Sequence, residues 1–245
     1  MAIAKDAYTT IGSGTGNISG THTTSASPEG VFILIQQFVG YTDEVTGVTY
    51  GGVAAAEVTG SPALKGTGET GGVYLYFLGE SIPSSNQTVA VTVNATGSMK
   101  AVHCMSVTAA ADTEIVDSDG STADSSNGPA IALSFGGRSC FVFIGGISGE
   151  NDPDSTSPNS GWTFDYEGDA GTIVGIVSTY DTVGTSDVTA GWTQSSDDHI
   201  AVAAAIAEKA ASGTSITPTV GSVALAGVAG VLGLGIVTPS MIREA

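Results

Sequence analysis

From Val31 onward, apolar and polar residues alternate with a period of two, and the alternation breaks at clusters of Gly, Pro, Asn, Asp and Ser. A period of two puts successive side chains on opposite faces of a strand, so the chain reads as short strands joined by turns. VFILIQQFV (Val31–Val39) is a dense run of β-branched and aromatic residues between Pro28-Glu29-Gly30 and Gly40, which predicts a central strand. VTYGGVAAAEV and VYLYFLG follow, the latter apolar on both faces. QTVAVTVNA alternates cleanly, with Val89, Val91 and Val93 on one face. KAVHCMSV is the next strand, and Asn94 to Ser98 suits a hairpin loop between the two. Residues 117–129 are polar and predict a loop. AIALSF and SCFVFIGG, separated by Gly136-Gly137-Arg138, predict a second hairpin, and GWTFDYEG, GTIVGIVSTYDT, SDVTAGWTQ and IAVAAAIAE supply the last strands.

The predicted fold is all-β: an antiparallel jelly-roll-like β-sandwich over residues 30–210, with no helix longer than about three turns. Residues 200–211 pull two ways. Alanine favours helix, while the alternation of Ile200, Val202, Ala204 and Ile206 favours a final strand. The strand is the better match. No repeat of 20–50 residues is visible, which excludes a solenoid or propeller. Residues 1–29 are rich in Gly, Ser and Thr and read as an N-terminal extension leading into an edge strand.

Residues 211–245 break the pattern. After Gly213-Thr214-Ser215 and Pro218 comes VGSVALAGVAGVLGLGIV, Val220 to Val237, without a charge. At about 18 residues this stretch is near the lower limit for a membrane-spanning helix. Gly221, Gly227, Gly230, Gly233 and Gly235 each weaken a helix, and no Trp or Tyr flanks the run. Extended structure suits it better. Val223, Leu225, Val228, Val231, Leu232, Leu234 and Ile236 then become the anchors of an apolar interaction arm that needs a neighbouring chain to cover it.

Composition narrows the partners. The chain has 245 residues, 24 acidic against 6 basic, for a net charge of −18. The six cations are scattered, so neither nucleic acid nor an anionic membrane surface is an expected partner. The first ten residues carry no secretory signal pattern. Cys104 and Cys140 each sit in an apolar run and read as buried thiols, with a bridge between neighbouring strands as the alternative.

Motifs for chemistry are sparse. His22, His103 and His199 are the three histidines, and none has zinc-ligand spacing. A Ser-His-Asp set assembles in space and leaves no spacing to read, but no GxSxG elbow is present. Paired carboxylates for sugar hydrolysis could arise by coincidence among so many acids. Asp117, Asp119 and Asp124 surround a glycine and form a weak calcium candidate, against the plainer reading of a solvated loop. Gly12 to Gly16 resembles a phosphate loop only in composition, lacking a lysine. Trp162, Phe164 and Tyr166 alternate onto one face, which is either a sugar-stacking platform or core. No other cofactor is expected.

The ordering of GVTYGGV (Gly47–Val53), VYLYFLG, TAAADTEIVDSDGS (Thr108–Ser121) and GTSDVTAGWTQSSDDHIAVAAAIAE (Gly184–Glu208) resembles β-sandwich virion proteins of tailed bacteriophages. The resemblance spans about residues 28–208. It implies a structural role as a head-decoration, head-fibre or tail-appendage protein, located in the virion, with itself and other virion proteins as partners. The expected function is therefore non-enzymatic, with the chain attached to the particle through its N- and C-terminal arms. A glycan-binding, lectin-like module is the alternative, and a glycan-cleaving enzyme trails it. The resemblance carries over no functional residues.

Overall fold

The computed structural model describes residues 3–24, 27–68, 70–94, 97–149, 156–169, 174–180 and 184–210. No helix occurs among them; every regular element is a strand, and every pairing is antiparallel. Residues 1–210 form one compact unit. The arm and its anchors, Val223, Leu225, Val228, Val231, Leu232, Leu234 and Ile236, lie outside the described residues.

The first half of the unit holds ten strands: β1 Ala4–Gly14, β2 Ile18–His22, β3 Gly30–Phe38, β4 Val45–Tyr50, β5 Val53–Ala54, β6 Ala56–Glu57, β7 Ala63–Lys65, β8 Gly71–Leu78, β9 Gln87–Val93 and β10 Met99–Thr108. They build an inner sheet, β1-β10-β3-β8-β6 with β7 also on β8, and an outer sheet, β2-β9-β4-β5. The second half holds β11 Thr113–Ser126, β12 Ile131–Leu133, β13 Phe141–Ser148, β14 Ser157–Pro158, β15 Trp162–Asp169, β16 Val174–Tyr180, β17 Val188–Ala190, β18 Trp192–Thr193 and β19 Asp197–Glu208. Its inner sheet runs β11-β19-β13-β16-β15, and two ribbons, β12-β17 and β14-β18, cover its outer face.

The two halves share one strand plan. The inner-sheet order β1-β10-β3-β8 recurs as β11-β19-β13-β16, and the pair β2-β9 recurs as β12-β17. Both opening strands are long edge strands with two register shifts each: Lys5/Ala7 and Thr10/Gly12 in β1, Ile115/Asp117 and Ala123/Ser126 in β11. Such bulges bend an edge and spoil it as a template for pairing with another chain.

Three apolar layers hold the stack together. The middle one joins the inner sheets, with Phe32, Leu34, Leu75 and Met105 meeting Phe143, Val177, Ile200 and Val202. Phe32 stacks on Phe143 at 4.8 Å between ring centroids. A second layer joins the first half's two sheets through Ile33, Ile35, Tyr74 and Cys104 against Val48, Tyr50, Val89 and Val91. The third lies beneath the ribbons, where Trp192, Trp162 and Phe135 cover Val142, Ile144 and the alanines of β19. Both inner sheets are thus buried on both faces, which is why β3, β8 and β13 read as continuous apolar runs.

Several sequence expectations change. Residues 3–24 are not an extension, since β1 and β2 are integral strands of the first half. The two predicted hairpins are absent. β9 and β10 belong to different sheets, and so do β12 and β13. Polar intervening residues suit a crossing between sheets as well as a tight turn, so the loops could not decide it. Residues 117–126 are not a loop but the outer part of β11, paired along β19. The ambiguous stretch after Ile200 is strand: β11 and β13 bond to β19 on both sides, and that pairing overrides alanine's helix propensity.

Candidate functional site

Each sequence candidate among the described residues finds a place, and most are absorbed into packing. The calcium candidate comes apart. Asp117 accepts hydrogen bonds from the backbone N–H of Ser118 and Ser134, at 2.9 and 2.8 Å. Asp119 accepts from Gly120 N–H, and Asp124 pairs with Lys65. A strand rises about 3.3 Å per residue, so Asp117 and Asp124 are roughly 20 Å apart. No group of three or more metal-ligating side chains occurs among the described residues. Gly120 serves another purpose: a Cβ there would sit 2.3 Å from the Gly60 carbonyl oxygen, so glycine lets the two backbones touch.

The histidines are all buried, and each has both ring nitrogens engaged. His22 was expected in an extension but is enclosed between the first half's two sheets. Ser106 donates to Asp6 at 2.9 Å, so His22 Nε2–H must donate to Ser106 at 3.0 Å, and Nδ1 accepts from Thr9. That order is the reverse of a nucleophilic dyad, in which the serine proton goes to the imidazole. His103 lies between the inner sheets. The Gln36 amide donates to the carbonyls of Gly146 and Ile176, so its oxygen accepts from His103 Nε2–H at 3.1 Å, and Tyr8 donates to Nδ1 at 2.6 Å. This chain of bonds ties β1, β10 and β3 to β13 and β16. His199 sits between Ser121 and Ser126, at 3.0 and 2.6 Å. Burial pushes His103 and His199 down to about 4 and also lowers His22, so all three rings are neutral near pH 7.

Two lysines are buried with carboxylates. Lys65 bonds Asp198 at 2.8 Å and pairs with Asp124, linking β7 of the first half to β19 and β11 of the second. Burial lowers the lysine, but the two aspartates outweigh it and raise its affinity for the proton. Lys100 bonds Glu44 at 2.5 Å, and Ser98 donates to the same carboxylate at 2.9 Å. Burial raises the Glu44 carboxyl, yet the bonds from Lys100 and Ser98 hold it below the usual range.

The aromatic face is split. A register shift between Phe164 and Tyr166 turns the strand over. Trp162 and Phe164 pack under the ribbons, while Tyr166 packs between the inner sheets, its ring 4.5 Å from that of His103. Cys104 and Cys140 are free, buried thiols, both raised above the ordinary thiol range by burial, Cys140 to about 11. An open cleft of about 270 Å³ lies among Asp117, Leu133, Ser134, Asp187 and Thr189. Its two carboxylates are occupied by the backbone N–H groups of residues 134 and 135.

One surface feature is invisible in the sequence. Val39, Tyr41 and Met99 are 68, 59 and 48% exposed, the large apolar side chains left open among the described residues. They share one end of the first half. Met99 is the cross-strand partner of Phe38, and the next three residues begin the loop to Glu44. Gln37 donates to the carbonyls of Gly40 and Thr42, and Glu44 N–H donates to the Tyr74 hydroxyl. The Lys100–Glu44–Ser98 cluster lies beneath. The loop is thus fixed from below by buried polar groups. No sequence signal marks it, because an exposed apolar residue after a strand is ordinary.

No protein-family model, curated protein or solved structure matches this chain.

Proposed function

We propose that the chain is a non-enzymatic structural component of a bacteriophage particle, a capsid-decoration or appendage protein. The observation that carries this reading is the doubled strand plan. The order β1-β10-β3-β8 facing β2-β9-β4-β5 matches jelly-roll connectivity, and the second half repeats its inner sheet. Jelly rolls serve in viral capsids, lectins and cupins. Fold alone does not choose among these. The use made of the polar groups favours the structural role. The three histidines, Lys65 and Lys100 are spent on bonds that hold strands and loops together, and both cysteines are buried as free thiols. The lectin reading loses its motivating feature, because Trp162, Phe164 and Tyr166 point into two different cores. The resemblance to tailed-phage virion proteins points the same way.

Attachment falls to residues 211–245. With β1 and β2 built into the sandwich, the N-terminal segment is already committed. The C-terminal stretch from Val220 to Val237 is uncharged and rich in apolar anchors. Partners are other copies of the chain and other virion proteins. The test is a deletion of residues 213–245. The truncated protein is expected to keep its melting temperature and lose incorporation into particles. Normal incorporation of the truncated protein would remove the basis of this reading.

A further inference from the structure

We infer that the tip formed by Val39, Tyr41 and Met99 is a docking surface for the C-terminal segment Val220–Val237 of a second copy of this chain. The inference rests on the reading above, that residues 211–245 attach, and adds where one copy receives them.

Four observations lead there. First, these three side chains stand open although the same unit buries apolar residues on both faces of two sheets. Exposed apolar side chains gathered at one end of a fold form a candidate interaction surface. Second, Val39 has φ +70°. A β-branched residue in the left-handed region is a genuine outlier, and such strain persists where surrounding structure enforces it. Here it is enforced by Val39 N–H on the Thr70 carbonyl and by Gln37 on Gly40 and Thr42. Third, the support below the loop includes a fully buried lysine, Lys100, paired with Glu44. A buried ion pair is a poor source of stability, and positioning is a better-attested use. A loop held in advance loses less freedom when a partner binds.

The fourth observation selects the occupant. The described chain ends at Ala210, beside Lys209, whose N–H donates to Asp112 and whose ammonium pairs with Glu80. Those residues mark the end of the stack opposite the tip, since Gly30, Leu78 and Thr113 belong to it while Phe38, Gly71 and Met99 belong to the tip. A segment leaving one end and a receptor at the other suit a head-to-tail contact between copies. The chemistry also fits. Asp43 is exposed beside Tyr41, and the net charge of −18 disfavours an acidic partner surface. Val220–Val237 carries no charge and offers Val, Leu and Ile to an apolar tip.

Crosslinking between copies tests this. One full-length protein carries Thr42→Cys beside the patch and another carries Ser222→Cys; the two are mixed and treated with a short bis-maleimide. Native Cys104 and Cys140 are buried and do not compete. The expected product is a mixed dimer joined through positions 42 and 222. Adding Tyr41→Lys to the first protein should cut its yield about tenfold, as loss of an interface anchor does. Val39→Gly is a second probe, because glycine tolerates the backbone there; it should raise the melting temperature while lowering the yield. A dimer joined through two copies of position 42 would overturn the inference by showing that the tip pairs with itself. With Thr42→Cys and Ser222→Cys placed in one protein, a product formed only within a single chain would overturn the contact between copies. No product, or a yield indifferent to Tyr41→Lys and Val39→Gly, would overturn the docking surface itself. Should crosslinking fail while deletion of 213–245 still blocks incorporation, this inference falls and the structural role stands. Should the mixed dimer form while the protein is absent from particles, the docking contact stands and the structural role falls.

Discussion

Tyr50 is fully buried, and its hydroxyl has no hydrogen-bond partner. Burial raises its pKa to about 12. An unpaired buried hydroxyl costs on the order of 1 kcal/mol or more, so Tyr50→Phe should leave stability unchanged or raise it by about 1 kcal/mol. Urea denaturation measures this, and a loss above about 1 kcal/mol would mean that the hydroxyl holds a partner after all. His103 and His199 set the response to acid. In the unfolded chain a histidine takes its proton near 6.5; in the fold, burial lowers both to about 4. Above pH 6.5 both states are neutral and stability is complete. As pH falls from 6.5 toward 4 the unfolded chain binds protons that the native state refuses, at a cost approaching about 3 kcal/mol per histidine. Urea midpoints at pH 7, 5.5 and 4 should therefore fall in order. His103→Gln should lower the midpoint at pH 7, through the lost bond to Tyr8, and flatten its decline below 6.5.

At the scale of elements, β13 shows how tightly the layers are fitted. A Cβ on Gly146 would lie 2.4 Å from the Ile200 carbonyl oxygen. That atom belongs to the paired backbone of β19, which cannot retreat without breaking its ladder. Gly146→Ala should thus destabilise by roughly 2 kcal/mol or more, against a much smaller effect at Gly47, where nothing lies within 4 Å. A thermal melt of both variants checks the contrast. Strands of this kind were legible in the sequence. β3, β8, β9 and β10 match the predicted runs closely, because a period of two with β-branched and aromatic residues is a strong local signal. β1, β2 and β11 were missed for a physical reason. They lie at edges or on partly exposed faces, so Thr, Ser, Gly and Asp serve as strand residues there and look like loop. Pairing partners were illegible, since nothing local distinguishes a hairpin turn from a crossing between sheets. The tip at Val39 was hidden for the same reason: exposure is set by what the rest of the chain leaves uncovered.

At the scale of the molecule, the two halves meet through the apolar layer around Phe32 and Phe143, flanked by the Tyr8–His103–Gln36 chain and the Lys65–Asp198–Asp124 cluster. A single covalent link, Ala109 to Asp112, joins β10 to β11. Each half alone would expose its inner face to water. Fragments 1–110 and 111–245 are expected to aggregate when expressed separately and to give one soluble, β-rich complex when expressed together. A soluble monomeric fragment alone would show that the halves are independent domains. The shared strand plan left no trace in the sequence: inner strand β10 carries His103, Cys104 and Met105, while its counterpart β19 carries Ala203, Ala204 and Ala205. Topology is kept by burial pattern, and many side chains satisfy the same pattern. The structural role itself is tested most directly by quantitative mass spectrometry of gradient-purified phage particles from cells that make this chain. The account predicts that the chain co-purifies at a fixed number of copies per particle, unchanged by high-salt washing. Its absence from washed particles, with the protein left free in the lysate, would contradict it.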